Sequence, residues 1–329
     1  MSSLKEDIKS KQFKKCYLLF GEDQFLMAKA QKDLENAVVD EMAAVMNRDF
    51  FDGASDIGKV MDAAETMPFL SDMRLVVVKD SGLFDDGRSK DTEKMAEYIA
   101  NIPESTCILF AEKKVKKNNR LYKAVAKTGT AEEFGKLTEG EAAKIIAAIL
   151  KREKINCSSA LVYYIIHSVG CDMAALEKEV TKLIAYKGEG GTVEQEDIDA
   201  VCTKTLEAKV FDMVKAIGMR NPSQAIKIYR TLIMFNEAPI KIFALVIRQF
   251  KIMLQCKVLS SEGKNLNEIK EITGQNYYAV KECTEQSRNF TAETLKNAVY
   301  ECLETDTAIK SGKIDGEAAV ELIIAKYSM

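Results

Sequence analysis

Residues 66–79 read TMPFLSDMRLVVVK and contain two contrasting apolar stretches. Residues 75–78, LVVV, are apolar on both faces, which is typical of a buried strand in a parallel sheet. Phe69 and Leu70 instead lie beside Pro68 in what the sequence predicts to be a loop, where polar residues are usual. The strand indicates the fold class, and the loop raises the question of what its apolar pair contacts.

Four further stretches on either side of this strand also have strand character. They read CYLLF (16–20), NRDFFDG (47–53), TCILFAE (106–112) and AEEFGK (131–136). Helical patterns such as FLMAKAQKDLENAVV and DTEKMAEYIANI separate them. Buried strands that alternate with helices predict a parallel sheet covered by helices on both sides.

After Leu137 the strand signals stop and helical patterns continue to the end of the chain. Thr138 and Glu141 have the spacing of a capping box, and Pro239 suits the first turn of a long helix. We therefore predict α/β plus all-α architecture in three parts. These are an α/β domain over residues 1–138, a small helical domain over 139–208 and a second helical domain over 209–329.

The composition argues against several classes of protein. No run of about 18 apolar residues is present, so we expect no membrane span, and the N-terminal residues have no apolar signal core. The eight cysteines never have C-x-x-C spacing, which favours reduced cytosolic thiols over disulfides or zinc ligands. The one histidine, His167, falls in the helical pattern LVYYIIHSV, so we interpret it as a packed residue and expect neither a metal nor a histidine-based catalytic triad.

The loops that would bind nucleotide phosphates lack the required residues. A P-loop needs G-x-x-x-x-G-K-[ST], whereas the first strand is followed by GEDQFLMAKA with the acids Glu22 and Asp23. Residues 82–89, GLFDDGRS, fit the spacing with Arg88 in place of lysine, but two acids lie inside the loop. We expect no cofactor. A divergent P-loop-like nucleotide-binding enzyme that uses Gly82–Ser89 remains the alternative.

The region between Lys209 and Lys257 holds nine Lys or Arg and two acids, although the whole chain has a net charge of −3. Such an excess suits either a solvated helical face or an acidic partner such as a phosphate backbone. Arg248 and Lys251 are the candidate DNA contacts, and a stand-alone DNA-binding protein is a third hypothesis. Tyr278, in a predicted polar turn with Tyr277, is a candidate for stacking on a base, with two packed tyrosines as the alternative.

Six stretches together resemble one family, the delta subunit of the bacterial DNA polymerase III clamp loader in its Gram-positive form. They are YLLFGEDQFL (17–26), MPFLSDMRLVVVKD (67–80), EKKVKKNNRLYK (112–123), LEKEVTKL (176–183), IRQFKIMLQCK (247–257) and AIKSGKIDGEAAVELII (308–324). Their order and spacing match along essentially the whole chain. The sequence departs from the family in having Asn118 and Asn119 within the basic stretch and in having no tryptophan.

The resemblance implies an AAA+-like first domain without a working ATP site, a helical lid and a helical collar that holds the loader subunits in a ring. It also implies a cytoplasmic replication protein that has no catalysis of its own but is a component of the DNA polymerase (nucleotidyltransferase) holoenzyme. Its partners would be the sliding clamp (beta subunit), the gamma/tau and delta prime subunits, and primed DNA.

The resemblance assigns clamp binding and ring opening to the apolar loop. Met67, Pro68, Phe69 and Leu70 would bind the clamp, while Asp72 and Arg74 keep the rim of that surface polar. The alternative for Phe69 and Leu70 is that the pair folds back onto its own sheet.

Overall fold

The computed structural model describes residues 3–40 and 42–328 of the chain. These fall into two compact units, one that ends at Leu137 and one that begins at Thr138. The first is an α/β unit and the second is helical. The α/β plus all-α class predicted from the sequence is therefore confirmed.

The first unit is built around five strands. They are β1 (Cys16–Phe20), β2 (Arg48–Asp52), β3 (Arg74–Lys79), β4 (Thr106–Glu112) and β5 (Thr130–Glu133). The helices are α1 (Ser3–Ser10), α2 (Gln24–Val38), α3 (Ala44–Asn47), α4 (Ile57–Glu65), α5 (Ser89–Tyr98) and α6 (Arg120–Thr128), with 3-10 turns at Asp86–Arg88 and Ile99–Asn101. All five predicted strands are present, although β5 begins one residue earlier and ends three residues earlier than predicted. Helices α1 and α3 were not predicted.

The five strands form one parallel sheet in the order β2-β3-β4-β1-β5, which is the order of an AAA+ core. Alternate residues of each strand enter opposite cores, as the strand period of two requires. Val76 and Val78 pack on the face covered by α4, α5 and α6, while Leu75 and Val77 pack on the face covered by α1 and α2. The sheet is thus covered on both sides, and the AAA+-like prediction for this domain is confirmed.

The second unit consists of eleven helices among the residues described. They are α7 (Glu139–Arg152), α8 (Ser159–Val169), α9 (Met173–Lys187), α10 (Gln195–Val201), α11 (Leu206–Gly218), α12 (Pro222–Met234), α13 (Pro239–Ser261), α14 (Leu266–Thr273), α15 (Tyr277–Ser287), α16 (Ala292–Lys310) and α17 (Gly316–Tyr327). The capping box of Thr138 and Glu141 and the first-turn position of Pro239 are both confirmed.

The core of the helices from α11 onward surrounds α13, whose Phe243, Val246 and Phe250 are fully buried. Lys204 forms ion pairs with both Asp199 and Asp212, on either side of the predicted boundary at residue 208. The structure groups α7–α17 in one compact unit, so the division into a lid and a collar stays a prediction.

Candidate partner-binding loop

An exposed apolar loop connects α4 to β3. Helix α4 ends at Glu65, and β3 begins at Arg74. Met67 is 84% exposed, Phe69 59% and Leu70 88%, while Pro68 is half-buried. The alternative in which Phe69 and Leu70 fold back onto their own sheet is therefore wrong.

The buried side chain of Asn47 holds this loop in place. Its Oδ1 accepts a hydrogen bond from the Phe69 N–H at 2.6 Å, and its Nδ2 donates to the Phe69 carbonyl oxygen at 2.8 Å. The same Nδ2 lies 3.1 Å from the carbonyl oxygen of Ala43. Both backbone polar groups of Phe69 are thus paired, while most of its ring stays in solvent.

Sheet topology brings Asn47 to this loop. Strands β2 and β3 are parallel neighbours, with Arg48 aligned to Leu75. Residues that immediately precede the two strands therefore lie at the same edge of the sheet. Asn47 precedes β2 and the apolar loop precedes β3, so two segments about twenty residues apart in sequence meet there. Sequence reasoning missed Asn47 because the residue reads as the start of a strand.

Leu70 has a backbone φ of +50°, in the left-handed region that residues with a Cβ rarely adopt. Such a conformation costs on the order of 1–2 kcal/mol, and it persists where neighbouring contacts determine it. The hydrogen bonds from Asn47 to Phe69, the preceding residue, supply such contacts. The loop thus has one defined conformation that exposes its largest apolar side chains.

A second exposed apolar segment lies directly before Asn47. Met42 is 94% exposed, Val45 87% and Met46 62%. The Arg74 guanidinium joins this segment to β3, since its Nη1 donates to the Met46 carbonyl oxygen at 3.1 Å. We call the six exposed side chains of the two segments the apolar tip: Met42, Val45, Met46, Met67, Phe69 and Leu70. Exposed apolar groups of this kind mark interaction surfaces in soluble proteins.

The sequence-based prediction for Arg74 is wrong. It was expected on the polar rim of the loop, but it is buried as the first residue of β3. Its Nη2 pairs with the Asp49 carboxylate at 2.5 Å, which compensates the buried charge. Asp72 is exposed, as expected of a rim residue.

The loop after β1, where a P-loop would bind phosphates, is closed by the protein itself. The Gly21 N–H donates to the Glu112 carbonyl oxygen, and the Asp23 N–H donates to the Phe134 carbonyl oxygen at 2.9 Å. A Cβ at Gly21 would lie 2.2 Å from that same Phe134 oxygen. Because these N–H groups already have partners and the space is occupied, this loop offers no phosphate cradle.

Residues 82–89 do not form a nucleotide loop either. Leu83 and Phe84 are buried in the core, and Lys116 pairs with both Asp85 and Asp86 and thereby lowers the pKa of Asp85. Arg88, which would replace the P-loop lysine, donates to the carbonyl oxygens of Ser81 and Ser55 and pairs with Asp91. The geometry does not support the nucleotide-binding alternative.

One asparagine in the basic stretch after β4 has a structural role. Asn119 is the N-cap of α6, where its Oδ1 accepts from the Leu121 N–H at 2.8 Å. Its Nδ2 donates to the Leu83 carbonyl oxygen at 3.1 Å. A lysine at this position would lose the cap, so this departure from a continuous basic stretch fits the fold.

Arg248 and Lys251 are exposed and lie one turn apart on α13. Neither has an ion-pair partner among residues 3–40 and 42–328. Other cations of the region are paired, for example Lys215 with Glu282 and Lys241 with Glu237. The local charge excess is thus partly neutralised, and the DNA-contact role of Arg248 and Lys251 stays a prediction.

Tyr277 and Tyr278 form the first turn of α15, not the polar turn expected. Tyr278 is half-buried, and its ring centroid lies 4.9 Å from that of His167 and 5.6 Å from that of Tyr164. This arrangement favours the packed alternative for Tyr278 over base stacking. His167 also packs against Phe211 at 4.7 Å, and burial lowers its pKa, as expected of a packed histidine.

The described residues contain no cluster of three or more His, Cys, Asp or Glu arranged to hold a metal ion. The eight cysteines are free thiols, and six of them are buried. None of the described helices combines the length and apolar character needed to cross a membrane.

Two family models match the chain. Residues 17–134 match the model for the DNA polymerase III delta subunit, and residues 207–327 match the model for the C-terminal domain of that subunit. The first match contains the apolar loop, and the second contains Arg248 and Lys251.

Individual relatives agree with these models. The DNA polymerase III subunit delta of Bacillus subtilis (strain 168) is 25% identical over 316 residues, which cover 94% of this chain and 91% of the relative. A probable DNA polymerase III subunit delta of Aquifex aeolicus (strain VF5) is 22% identical over 229 residues, 68% of this chain and 65% of the relative.

A solved structure has the same fold. It is the Bacillus subtilis DNA clamp loader delta protein (YqeN), which aligns with a TM-score of 0.58 at 24% identity over 99% of this chain and 98% of that protein. The family models, the relatives and the fold agree along nearly the whole length, and the chain belongs to the DNA polymerase III delta subunit family.

Proposed function

We propose that this chain is the clamp-loader subunit that binds the sliding clamp through its apolar tip and opens the ring for loading onto primed DNA. The observation that carries the proposal is the apolar pair Phe69 and Leu70, which is exposed and yet held in one backbone conformation. A loop of this kind does little for its own core. It is well suited to fill an apolar pocket on a partner.

The energetics of such a contact are favourable. Burying a Phe or Leu side chain that was exposed is worth roughly 1.5–3 kcal/mol each. A few side chains that are buried near the centre of an interface commonly carry most of its binding energy. Because Asn47 already fixes the Phe69 backbone, binding would cost less ordering entropy than with a mobile loop.

The mechanism that follows is binding without catalysis. A protein that prefers the open form of a ring shifts the ring toward opening by at most the difference in its affinity for the two forms. The turn after β1 is closed by Phe134 and offers no phosphate cradle, so under this proposal ATP would act in the partner subunits.

The helices from α11 onward would join the other loader subunits, gamma/tau and delta prime, in the cytoplasm where replication takes place. They expose large apolar side chains, of which Met234 and Phe235 at the end of α12 are the most prominent pair. Arg248 and Lys251 would meet phosphates of primed DNA without reading its sequence.

The test is a titration of the purified full chain with the sliding clamp of the same organism. We expect saturable binding without ATP that the double variant Phe69→Ala with Leu70→Ala strongly weakens. The matched control is Met234→Ala with Phe235→Ala, which removes a comparable exposed pair from the other unit and should leave clamp affinity unchanged. The proposal would be refuted if both double variants lost clamp affinity to the same extent, or if neither of them lost it.

A further inference from the structure

Asn47 is fully buried between the two segments of the apolar tip. Its side chain therefore cannot touch a partner that binds the exposed surface. Its three side-chain hydrogen bonds all go to backbone groups inside the protein, two to Phe69 and one to Ala43. This combination separates Asn47 from the residues that would make contact and suggests a role that acts through them.

We propose that Asn47 is a positioning residue of the clamp-binding loop, whose amide holds Phe69 and Leu70 in the binding conformation before the clamp arrives. This inference rests on the proposed function. It adds a residue that makes no contact with the clamp but sets the population of the loop conformation that does.

The chemistry of an amide explains why asparagine suits this position. A carboxamide carries an acceptor and a donor side by side, so it pairs with the N–H and the C=O of one residue as a neighbouring strand would. Aspartate lacks the donor, and an aliphatic side chain lacks both groups. Within the described part of the chain, residues 67–72 form no backbone–backbone hydrogen bond of their own. The two bonds to Phe69 are thus the main polar restraint on this loop.

The restraint is connected to the rigid sheet. Asn47 is the last residue of α3 and is followed directly by β2, which pairs with β3 at the other end of the loop. The bond from Arg74 to the Met46 carbonyl oxygen links the same two segments a second time. The position of Phe69 is therefore set relative to the sheet and not by the loop alone.

The expected effect follows from the population of the competent conformation. The left-handed backbone of Leu70 disfavours the observed conformation once its support is removed. If the competent fraction falls to about one tenth, the apparent Kd rises about tenfold, because apparent affinity scales with that fraction. No interface contact is removed by changing Asn47.

The experiment uses the full chain with two variants and one matched control. Asn47→Ala removes both groups of the amide. Asn47→Asp keeps the shape and the acceptor but places an oxygen where the donor was. The control, Asn119→Ala, deletes a side chain of the same type that also makes three hydrogen bonds to backbone groups of the same unit, far from the apolar loop in sequence. Clamp affinity is measured by titration, and hydrogen exchange is followed at the Phe69 amide.

We expect the Phe69 amide to exchange slowly in the wild type although its loop is exposed, and to exchange quickly in Asn47→Ala. Clamp affinity should fall about tenfold in both Asn47 variants and stay unchanged in Asn119→Ala. The introduced carboxyl of Asn47→Asp faces two carbonyl oxygens, so its pKa should be raised. Below that pKa the protonated group donates again, so the affinity deficit of Asn47→Asp should shrink as the pH falls, whereas the deficit of Asn47→Ala should not change with pH.

The inference is overturned if both Asn47 variants bind the clamp as the wild type does while Phe69→Ala with Leu70→Ala does not. Rapid exchange of the Phe69 amide in the wild type would also overturn it, even if Asn47→Ala fails to fold. If instead the Phe69 and Leu70 double variant retains full affinity, the proposed function itself is wrong.

Discussion

Replacing both Phe69 and Leu70 by alanine should weaken clamp binding strongly and leave folding nearly unchanged. In the free protein Phe69 is 59% and Leu70 88% exposed, so most of each side chain is still available for burial in a partner. Scaling the burial energy of each residue, roughly 1.5–3 kcal/mol, by these fractions gives about 2–4 kcal/mol for the pair. At about 1.4 kcal/mol per factor of ten, Kd should rise roughly 30- to 700-fold.

The assay pairs a titration of labelled clamp with a melting curve of the same variant. Exposed side chains contribute little to the core, and surface substitutions usually change stability by less than about 0.5 kcal/mol. We therefore expect the melting temperature to stay within about 2 °C of the wild type. A variant that loses several degrees of stability and keeps its clamp affinity would refute the reasoning, because Phe69 and Leu70 would then act in the fold.

Three further predictions concern the rest of the chain. The isolated protein should show no ATP binding at micromolar concentrations, since both candidate phosphate loops are closed; binding that Arg88→Ala abolishes would contradict this. Reversing the charge of Arg248 and Lys251 should lower the magnitude of the slope of log K against log salt by about 2 when the assembled loader binds DNA. An unchanged slope would show that these two residues do not contact DNA. Burial lowers the pKa of His167 in the folded protein, so protonation of this residue favours the unfolded chain. The free energy of unfolding should therefore decrease as the pH falls below about 6.5, the pKa of histidine in an unfolded chain. The variant His167→Phe should lack this part of the pH dependence in thermal melts, and identical pH profiles for the two proteins would contradict it.

The buried strands were predictable because their signal is local. Residues 75–78 and 107–111 are apolar on both faces, and only a sheet covered on both sides satisfies such runs. Helix α3 was not predictable, because four residues are too few for a helical period. The burial of Arg74 was missed because its partner, Asp49, belongs to another strand.

The exposed pair was recognisable from sequence, but its support was not. An apolar dipeptide beside Pro68 stands out in a loop by composition alone. Asn47 carries no such signal, since its partnership with Phe69 exists only when β2 and β3 lie side by side. The aromatic contacts of Tyr278 with Tyr164 and His167 likewise join distant helices, which a linear pattern does not reveal.

The contact of Phe134 with the turn at Gly21 has a consequence for how clamp loading is timed under the proposed function. A domain whose phosphate site is filled by its own main chain does not change its state with the ratio of ATP to ADP. Its intrinsic affinity for the clamp is then a constant, present throughout the loading cycle. Clamp binding would then be timed by neighbouring subunits that cover or uncover the apolar tip. This subunit would provide the affinity for the clamp, and the other subunits would control when the apolar tip is accessible.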